Sequence, residues 1–358
     1  MSRVARAPLS ELVDRVADYS LAHHDDQPFL GMDVADHDWE KGVLVNGLLA
    51  CGVRVADAKH HVERSIETQT GEGQFAYGSL HTKHLDWDVD WGEQDRLGYT
   101  SIADPLIPGH GVLEFYDRTG DDYYLDAARK QYEFLQRVER VAGVGIPQRR
   151  EAQELWVDML YMAAPFLARY GVLADDPDAV DDAVAQFHAC RDRLRDPETG
   201  LYRHNWAAEP DSFVQSTFWA RGNGWVLAAL ADVLAVLPAD HAAREDLVEQ
   251  FEALAAAMRP YQDASGFWHN IVDDRTSWLE TSGTLMATYA FGRGVDLGVL
   301  DPETYVPPAR QAMEVCEGVV DSRGRVRRVA KVPGGPKAPA GVTLHGQGWF
   351  LLAAAAAP

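Results

Sequence analysis

The sequence predicts an all-α protein built as an (α/α)6 barrel: six helical hairpins closed in a ring, with short β-like segments in the loops between helices. Three observations carry that expectation. Apolar residues recur at spacings of three and four in about a dozen segments, the period of a half-buried helix. Three loop phrases share a pattern, DPETGLYRHNWA (196–207), DASGFWHNIVDD (263–274) and DSRGRVRRVAKV (321–332), each a turn with glycine followed by a strand-like run. Their glycines, Gly200, Gly266 and Gly324, stand 66 and 58 residues apart. That distance fits one helical hairpin per repeat, whereas an open solenoid would repeat every 34–45 residues or so. No long Pro-, Gly- or Ser-rich linker interrupts the pattern, so residues 1–358 are expected to form one domain.

In chain order, the first helices are expected over 8–22, 39–53 and 56–68. The next, 104–118, opens on Asp104-Pro105, a pair suited to a helix start. It is followed by 122–139 and by 152–171, where Leu155, Met159, Met162 and Phe166 mark one apolar face. Segments 152–171, 218–237 and 277–295 are rich in Ala, Gly, Met and aromatics, and read as inner helices buried on most sides. Segments 176–194 and 241–259 carry many Asp, Glu and Arg and read as outer, amphipathic helices. Helices over 302–317 and 344–356 complete the count.

Composition bounds the function. A chain of 358 residues with 46% hydrophobic content can bury a large core. The net charge is −22, and lysine is confined to Lys41, Lys59, Lys83, Lys130, Lys331 and Lys337. Such a surface repels nucleic acid and anionic membrane, and an acidic, lysine-poor surface is expected in a salt-loving source where ions screen self-repulsion. The first twenty residues lack the apolar core of a signal peptide, and FLLAAAAAP is too short to span a bilayer, so a cytoplasmic location is expected. Cys51, Cys190 and Cys316 are odd in number and far apart, and read as small core residues. His23, His24, His60, His61, His81 and His84 show no ligand spacing with carboxylates; neither a metal site nor a cofactor is expected.

One charge is out of pattern. Asp158 interrupts an apolar helical face, with Trp156 and Tyr161 as neighbours able to stack on a sugar and hydrogen-bond to it. A carboxyl in such a dry place holds its proton and can act as a general acid. Asp104 reads locally as a helix cap, yet a second carboxylate near Asp158 would complete the pair that glycoside chemistry usually needs. In TFWARGNGWVLAAL, Trp219, Arg221 and Trp225 surround two glycines; no strand and phosphate loop precede them, so a dinucleotide fold is rejected. A guanidinium between two indoles suits a sugar carboxylate better. His204 lies in one of the repeated turns, within reach of a barrel mouth; a lone histidine is more often structural.

Taken together, WVDMLYMAAPFLARYG, DPETGLYRHNW, FWARGNGWV and WLETSGTLMATYAFGRGV resemble the unsaturated uronyl hydrolases of glycoside hydrolase families 88 and 105. The resemblance runs from about Trp39, in DWEKGVLVNGL, to HGQGWFLLAAA. It implies an (α/α)6-barrel catalytic domain that removes a terminal 4,5-unsaturated uronic acid from lyase-generated oligosaccharides. By the same resemblance Asp158 is the proton donor, Asp104 the second carboxylate and His204 the turn histidine. Trp219, Arg221 and Trp225 form the substrate-contacting cluster, and Trp39, Trp156, Tyr161 and His345 are expected with them. The chain departs from the family in GVGIPQRREAQELW, where Gln148, Arg149 or Arg150 stands in place of a histidine, and at Thr343 and Leu344. Arg149 or Arg150 could add local positive charge for the uronate. A sugar epimerase on the same barrel would favour paired histidines on inner helices, and a non-catalytic binding relative would not need to keep both Asp104 and Asp158.

Overall fold

The computed structural model describes residues 8–22, 39–75, 101–150, 152–332 and 334–358. The expected histidines His23, His24, His81 and His84 lie outside them. Twelve α-helices alternate between two layers among the described residues. The odd-numbered ones are outer: α1 (Leu9–Leu21), α3 (Val55–Glu67), α5 (Asp122–Gln136), α7 (Pro177–Leu194), α9 (Arg244–Met258) and α11 (Pro302–Glu317). The even-numbered ones are inner: α2 (Trp39–Cys51), α4 (Ile107–Thr119), α6 (Asp158–Ala174), α8 (Ala220–Val236), α10 (Thr281–Asp296) and α12 (Leu344–Ala356). Contacts run α2 to α4, α6, α8, α10 and α12, and α12 closes back on α2, so the inner helices form a complete ring. Each outer helix packs on the inner helix beside it in sequence. No helix among the described residues is long and apolar enough to cross a membrane.

The two layers follow from side-chain chemistry. On α8, every residue from Ala220 to Ala231 is buried, a run that can only sit inside. On α9 the buried set is Leu247, Gln250, Phe251, Leu254, Ala255 and Met258, a single stripe. Acidic caps fix several helix starts: Asp121, Asp176 and Asp301 accept hydrogen bonds from the backbone N–H groups of Tyr123, Ala179 and Thr304.

The repeated turns share one backbone scheme. The N–H groups of Gly200, Gly266 and Gly324 donate to the carbonyls of Asp196, Asp263 and Asp321, and all three glycines take positive φ (76°, 99° and 87°). A turn of the same kind occurs at Thr70–Gln74, through Gly73 (φ 107°), and a different one at Val141–Gly145, with Ala142 and Gly143 at positive φ; no aspartate signals either. After each turn a backbone N–H meets a buried polar side chain. Gln131 accepts from Phe75, Gln186 from Ile146, Asn223 from Tyr202, Thr284 from Trp268 and Gln347 from Val326. Left unpaired, each such group would cost about 1–3 kcal/mol. The strands that follow are short: β1 (Glu154–Trp156), β2 (Asn205–Ala207) and β3 (Ser212–Gln215) form one antiparallel sheet, and β4 (Trp268–His269) pairs with β5 (Leu279–Glu280). A third pair joins β6 (Val329–Ala330) to β7 (Ala340–Gly341).

Two boundaries differ from the sequence reading. The helix expected over 152–171 begins only at Asp158, because Glu154–Trp156 pairs with Asn205–Ala207 instead of coiling. Asp158 is therefore the first residue of α6 at the barrel mouth, not a carboxylate in the middle of an apolar helix. The helix expected over 104–118 starts as a 3-10 turn, Asp104–Leu106, before α4.

Candidate active site

Because helices alternate in direction around the ring, all six inner helices begin at the same end. Their starts carry Trp39 and Glu40 on α2, Asp158 on α6, Arg221 on α8, Glu280 before α10 and His345 on α12, with Asp104 in the turn that leads into α4. Each helix N-terminus contributes roughly half a positive charge, which Glu280 already caps on α10 and Thr343 and Glu40 on α12, while no side chain caps α6 or α8.

Asp158 retains 17% side-chain exposure, and its Oδ2 lies 3.2 Å from His204 Nε2. The other ring nitrogen of His204 hydrogen-bonds to Gln215 Oε1 on β3, so both edges of the imidazole are held. The ring is also walled by indoles: Trp156 meets it edge-on at 5.1 Å and Trp219 lies 4.7 Å away. Strand β2 and the bulge after Asn205 deliver His204 to this point, and its carbonyl accepts from the Val157 N–H just before Asp158.

Arg221 is buried, with its guanidinium 4.1 Å over the Trp219 ring. Its Nη1 donates to Ser282 Oγ at 3.2 Å and to the Ala330 carbonyl at 2.5 Å. Burial lowers its pKa to about 10, against the opposing pull of the Glu280, Asp158 and Glu40 carboxylates, so it stays a cation at neutral pH. Glu280 caps α10, accepting from the Ser282, Gly283 and Ala330 N–H groups at 2.8, 2.6 and 2.9 Å. Gly334 (φ 90°) lies directly over Trp219; a Cβ there would sit 2.2 Å from the indole.

On the other side of the mouth, His345 stacks on Trp39 at 4.9 Å, with Nδ1 3.2 Å from Glu40 Oε1. That is ion-pair distance, and neither ring nitrogen of His345 meets strict hydrogen-bond geometry with a partner among the described residues. Burial lowers the His345 pKa more than Glu40 raises it, which keeps the ring uncharged at neutral pH. Asp104 accepts from Gln148 Nε2 at 3.3 Å, and the Gln148 N–H donates to Glu154 O, which ties the Asp104 turn to the strand leading into Asp158.

Most of the expected residues converge here. Asp158, His204, Trp156, Trp219 and Arg221 form one chain of contacts; Trp39 and His345 form a second, joined to the barrel interior by Trp225, 6.1 Å from Trp39. Tyr161 is not brought to the mouth. It lies one turn deeper, packs on Trp225 and Trp349, and turns its hydroxyl toward Asp232 and Asn46. Of the three residues expected to replace a histidine, Gln148 alone reaches Asp104; Arg150 pairs with Glu72 and lies over Phe134. His60 and His61 sit on the outer helix α3. Sequence reasoning missed Glu40, Gln215 and Glu280 as individuals. Single acids and amides in WEKG, FVQS and WLETSG follow no spacing rule, and only the inner-helix starts could have pointed to the first and last.

The polar inventory does not close among the described residues. Gln148 Oε1, Asn205 Oδ1, Trp219 Nε1, Arg221 Nε and Trp225 Nε1 are buried without hydrogen-bond partners among the described residues. Folded proteins pair nearly all such atoms, so several orphans around one mouth indicate a surface made for a polar ligand.

Comparison with known proteins agrees with this architecture. The family model described as Glycosyl Hydrolase Family 88 matches residues 12–357. The unsaturated rhamnogalacturonyl hydrolase YesR of Bacillus subtilis is 30% identical over 250 residues, 68% of this chain and 70% of its own. An unsaturated 3S-rhamnoglycuronyl hydrolase of an Alteromonas species is 30% identical over 207 residues, 56% of this chain and 50% of its own. A crystal structure of a possible member of glycoside hydrolase family 105 from Salmonella enterica superposes with a TM-score of 0.80 at 22% identity, covering 99% of this chain and 94% of that one, a likeness of fold.

Proposed function

The chain belongs to glycosyl hydrolase family 88, a family of glycosidases, and on that basis we propose that it removes a terminal 4,5-unsaturated uronic acid from lyase-generated oligosaccharides. The observation that carries the reading is the Asp158–His204 contact beside a buried, indole-stacked Arg221 at a mouth formed by six helix N-termini. Such a mouth suits a substrate that has both a carboxylate and an acid-sensitive double bond.

The substrate is an enol ether. Asp158 delivers a proton to C4, the C4=C5 electron pair forms the new C–H bond, and positive charge at C5 is shared with the ring oxygen. Asp158, now a carboxylate, draws a proton from water as the water oxygen bonds to C5. The resulting hemiketal opens to a C5 ketone, and the hemiacetal left at C1 collapses to an aldehyde and the free neighbouring sugar. Gln215 holds the His204 ring, and His204 holds Asp158, in the orientation for this exchange. Arg221 and the helix N-termini hold the C5 carboxylate, Trp219 and Trp156 line the sugar face, and Asp104 supplies a second carboxylate at the mouth.

Incubation with unsaturated disaccharides prepared by polysaccharide lyases tests the reading. Loss of the ultraviolet absorbance of the conjugated enol, with release of the neighbouring sugar, is expected; an absorbance that persists across galacturonyl and glucuronyl substrates would remove it. The charge of −22 supports a salt-rich working medium, so turnover should be higher in concentrated KCl than without it. Highest turnover in dilute buffer would remove that part.

A further inference from the structure

The opposite end of the barrel has a cavity that the proposed chemistry does not use. Its volume is about 430 Å³, and its lining comes from all six inner helices, mostly from their C-terminal halves, with His110 and Tyr161 reaching it from the first turns of α4 and α6. Asp232, on its wall, lies eleven residues beyond Arg221 on α8, about 16 Å along the helix axis at 1.5 Å per residue. An aromatic plug separates the two ends: Tyr161 packs on Trp225 at 5.2 Å and on Trp349 at 5.1 Å, and Tyr289 meets Trp349 at 5.6 Å.

The charges of this cavity cancel. Arg169 pairs with Glu114 at 2.7 Å and with Asp117 at 3.0 Å, and Arg118 also binds Glu114, at 2.6 Å. Asp232 accepts from the Tyr289 hydroxyl and feels the charge of Arg293. Three guanidinium groups thus face three carboxylates, one of them, Asp117, just outside the lining. The inner helices also end here, and their C-termini disfavour a further negative charge. An anion is therefore poorly matched, and a cation meets three arginines.

What remains open is hydrogen bonding. Arg293 Nε is buried without a partner among the described residues; beside it stand the Asp232 carboxylate, which accepts from Tyr289, and the Asn46 amide, 3.4 Å from His110 Nδ1, whose oxygens can each accept more than one bond. The Tyr161, Tyr289 and His110 rings give flat faces beside them. Mixed donors and acceptors at zero net charge, next to aromatic faces in a space of this size, suit a neutral, polyhydroxylated ring. We propose that this cavity is a second binding site, for a neutral monosaccharide, distinct from the mouth that carries Asp158.

The test uses D-glucose, D-galactose and D-mannose, titrated against the full chain by calorimetry and by tryptophan fluorescence, which Trp225 and Trp349 couple to the cavity through Tyr161. Saturable binding of at least one is expected. It should weaken about tenfold or more in Asp232→Asn, which is nearly isosteric and removes a charged acceptor. It should also be lost in Ala235→Phe, which fills the rim from an exposed position and does not depend on the buried network. Arg221→Gln, at the other mouth, should leave it unchanged. Absence of saturable binding of all three sugars, binding indifferent to both Asp232→Asn and Ala235→Phe, or binding abolished by Arg221→Gln would each overturn the proposal. So would D-glucuronate binding this cavity more tightly than the neutral hexoses. Because the site is read independently of hydrolysis, loss of enol absorbance in the same preparation is unaffected by any of these outcomes.

Discussion

Replacing Asp158 with asparagine separates chemistry from folding. Asparagine keeps the shape of the side chain and an oxygen to face His204 Nε2 at 3.2 Å, but it has no acidic proton. The structural cost is small: Asp158 is the first residue of α6, where losing a negative charge forfeits about 0.3–1 kcal/mol of helix-dipole interaction. The chemical cost is large, since a positioned general acid–base contributes about 10²–10⁴ in rate. Taking the middle of that range, turnover should fall about a thousandfold, about 4 kcal/mol in the barrier. The assay is the decay of enol absorbance under saturating unsaturated disaccharide, beside a urea unfolding curve for each protein. A variant with wild-type turnover would take Asp158 out of the mechanism, and a variant that fails to fold would contradict the half-buried, helix-start position assigned to it.

Other perturbations reach neighbouring parts of the account. Arg221→Lys loses the planar contact with Trp219 and the Nη1 bonds to Ser282 and Ala330, so KM should rise about tenfold or more with a smaller change in kcat; an unchanged KM with reduced kcat would oppose its role in holding the uronate. Gly334→Ala should lower both melting temperature and turnover, because its Cβ would meet the Trp219 ring at 2.2 Å on top of a positive-φ strain of about 1–3 kcal/mol. Gly298→Ala, with φ of 71° and open space around it, is the control for strain alone, and equal effects of the two on turnover would discount the Trp219 contact. Asp232 has a folded-state pKa raised to about 6, chiefly by burial, above its unfolded value. The unfolded chain therefore releases this proton first, and the fold loses stability as pH rises between about 4 and 6, by up to about 1.4 kcal/mol per unit. The stability of wild type minus that of Asp232→Asn should fall across that window and be flat above it; a rising difference would reverse the assignment.

The ring was legible because inner and outer helices differ in composition, and a run such as GWVLAALA cannot face water. The three aspartate-glycine turns were legible for the same local reason, whereas the turns at Thr70 and Val141 lack the aspartate and went unseen. The start of α6 was not legible: LWV before Asp158 has a good helical period, and only its pairing with Asn205–Ala207, some fifty residues away, makes it a strand. That one tertiary contact moves Asp158 from helix interior to barrel mouth. Tyr161 was misplaced because helical periodicity gives a face but not a depth, and the site depends on which turn of the helix a residue occupies. Glu40 and Gln215 act through partners on other elements, as when Glu40 reaches the N–H of Leu344 at 3.1 Å, and Glu280 adds the Ala330 N–H to its own helix cap.

Everything proposed for the mouth rests on a proton reaching C4 before any bond at C1 breaks. Early-time NMR of the product formed in D2O reads this directly. The account requires one deuterium at C4 of the released acid, on a single face, in step with loss of the double bond. A released uronic acid that still carries its C4=C5 bond and no deuterium would mean direct displacement at C1, and would contradict the role given to Asp158.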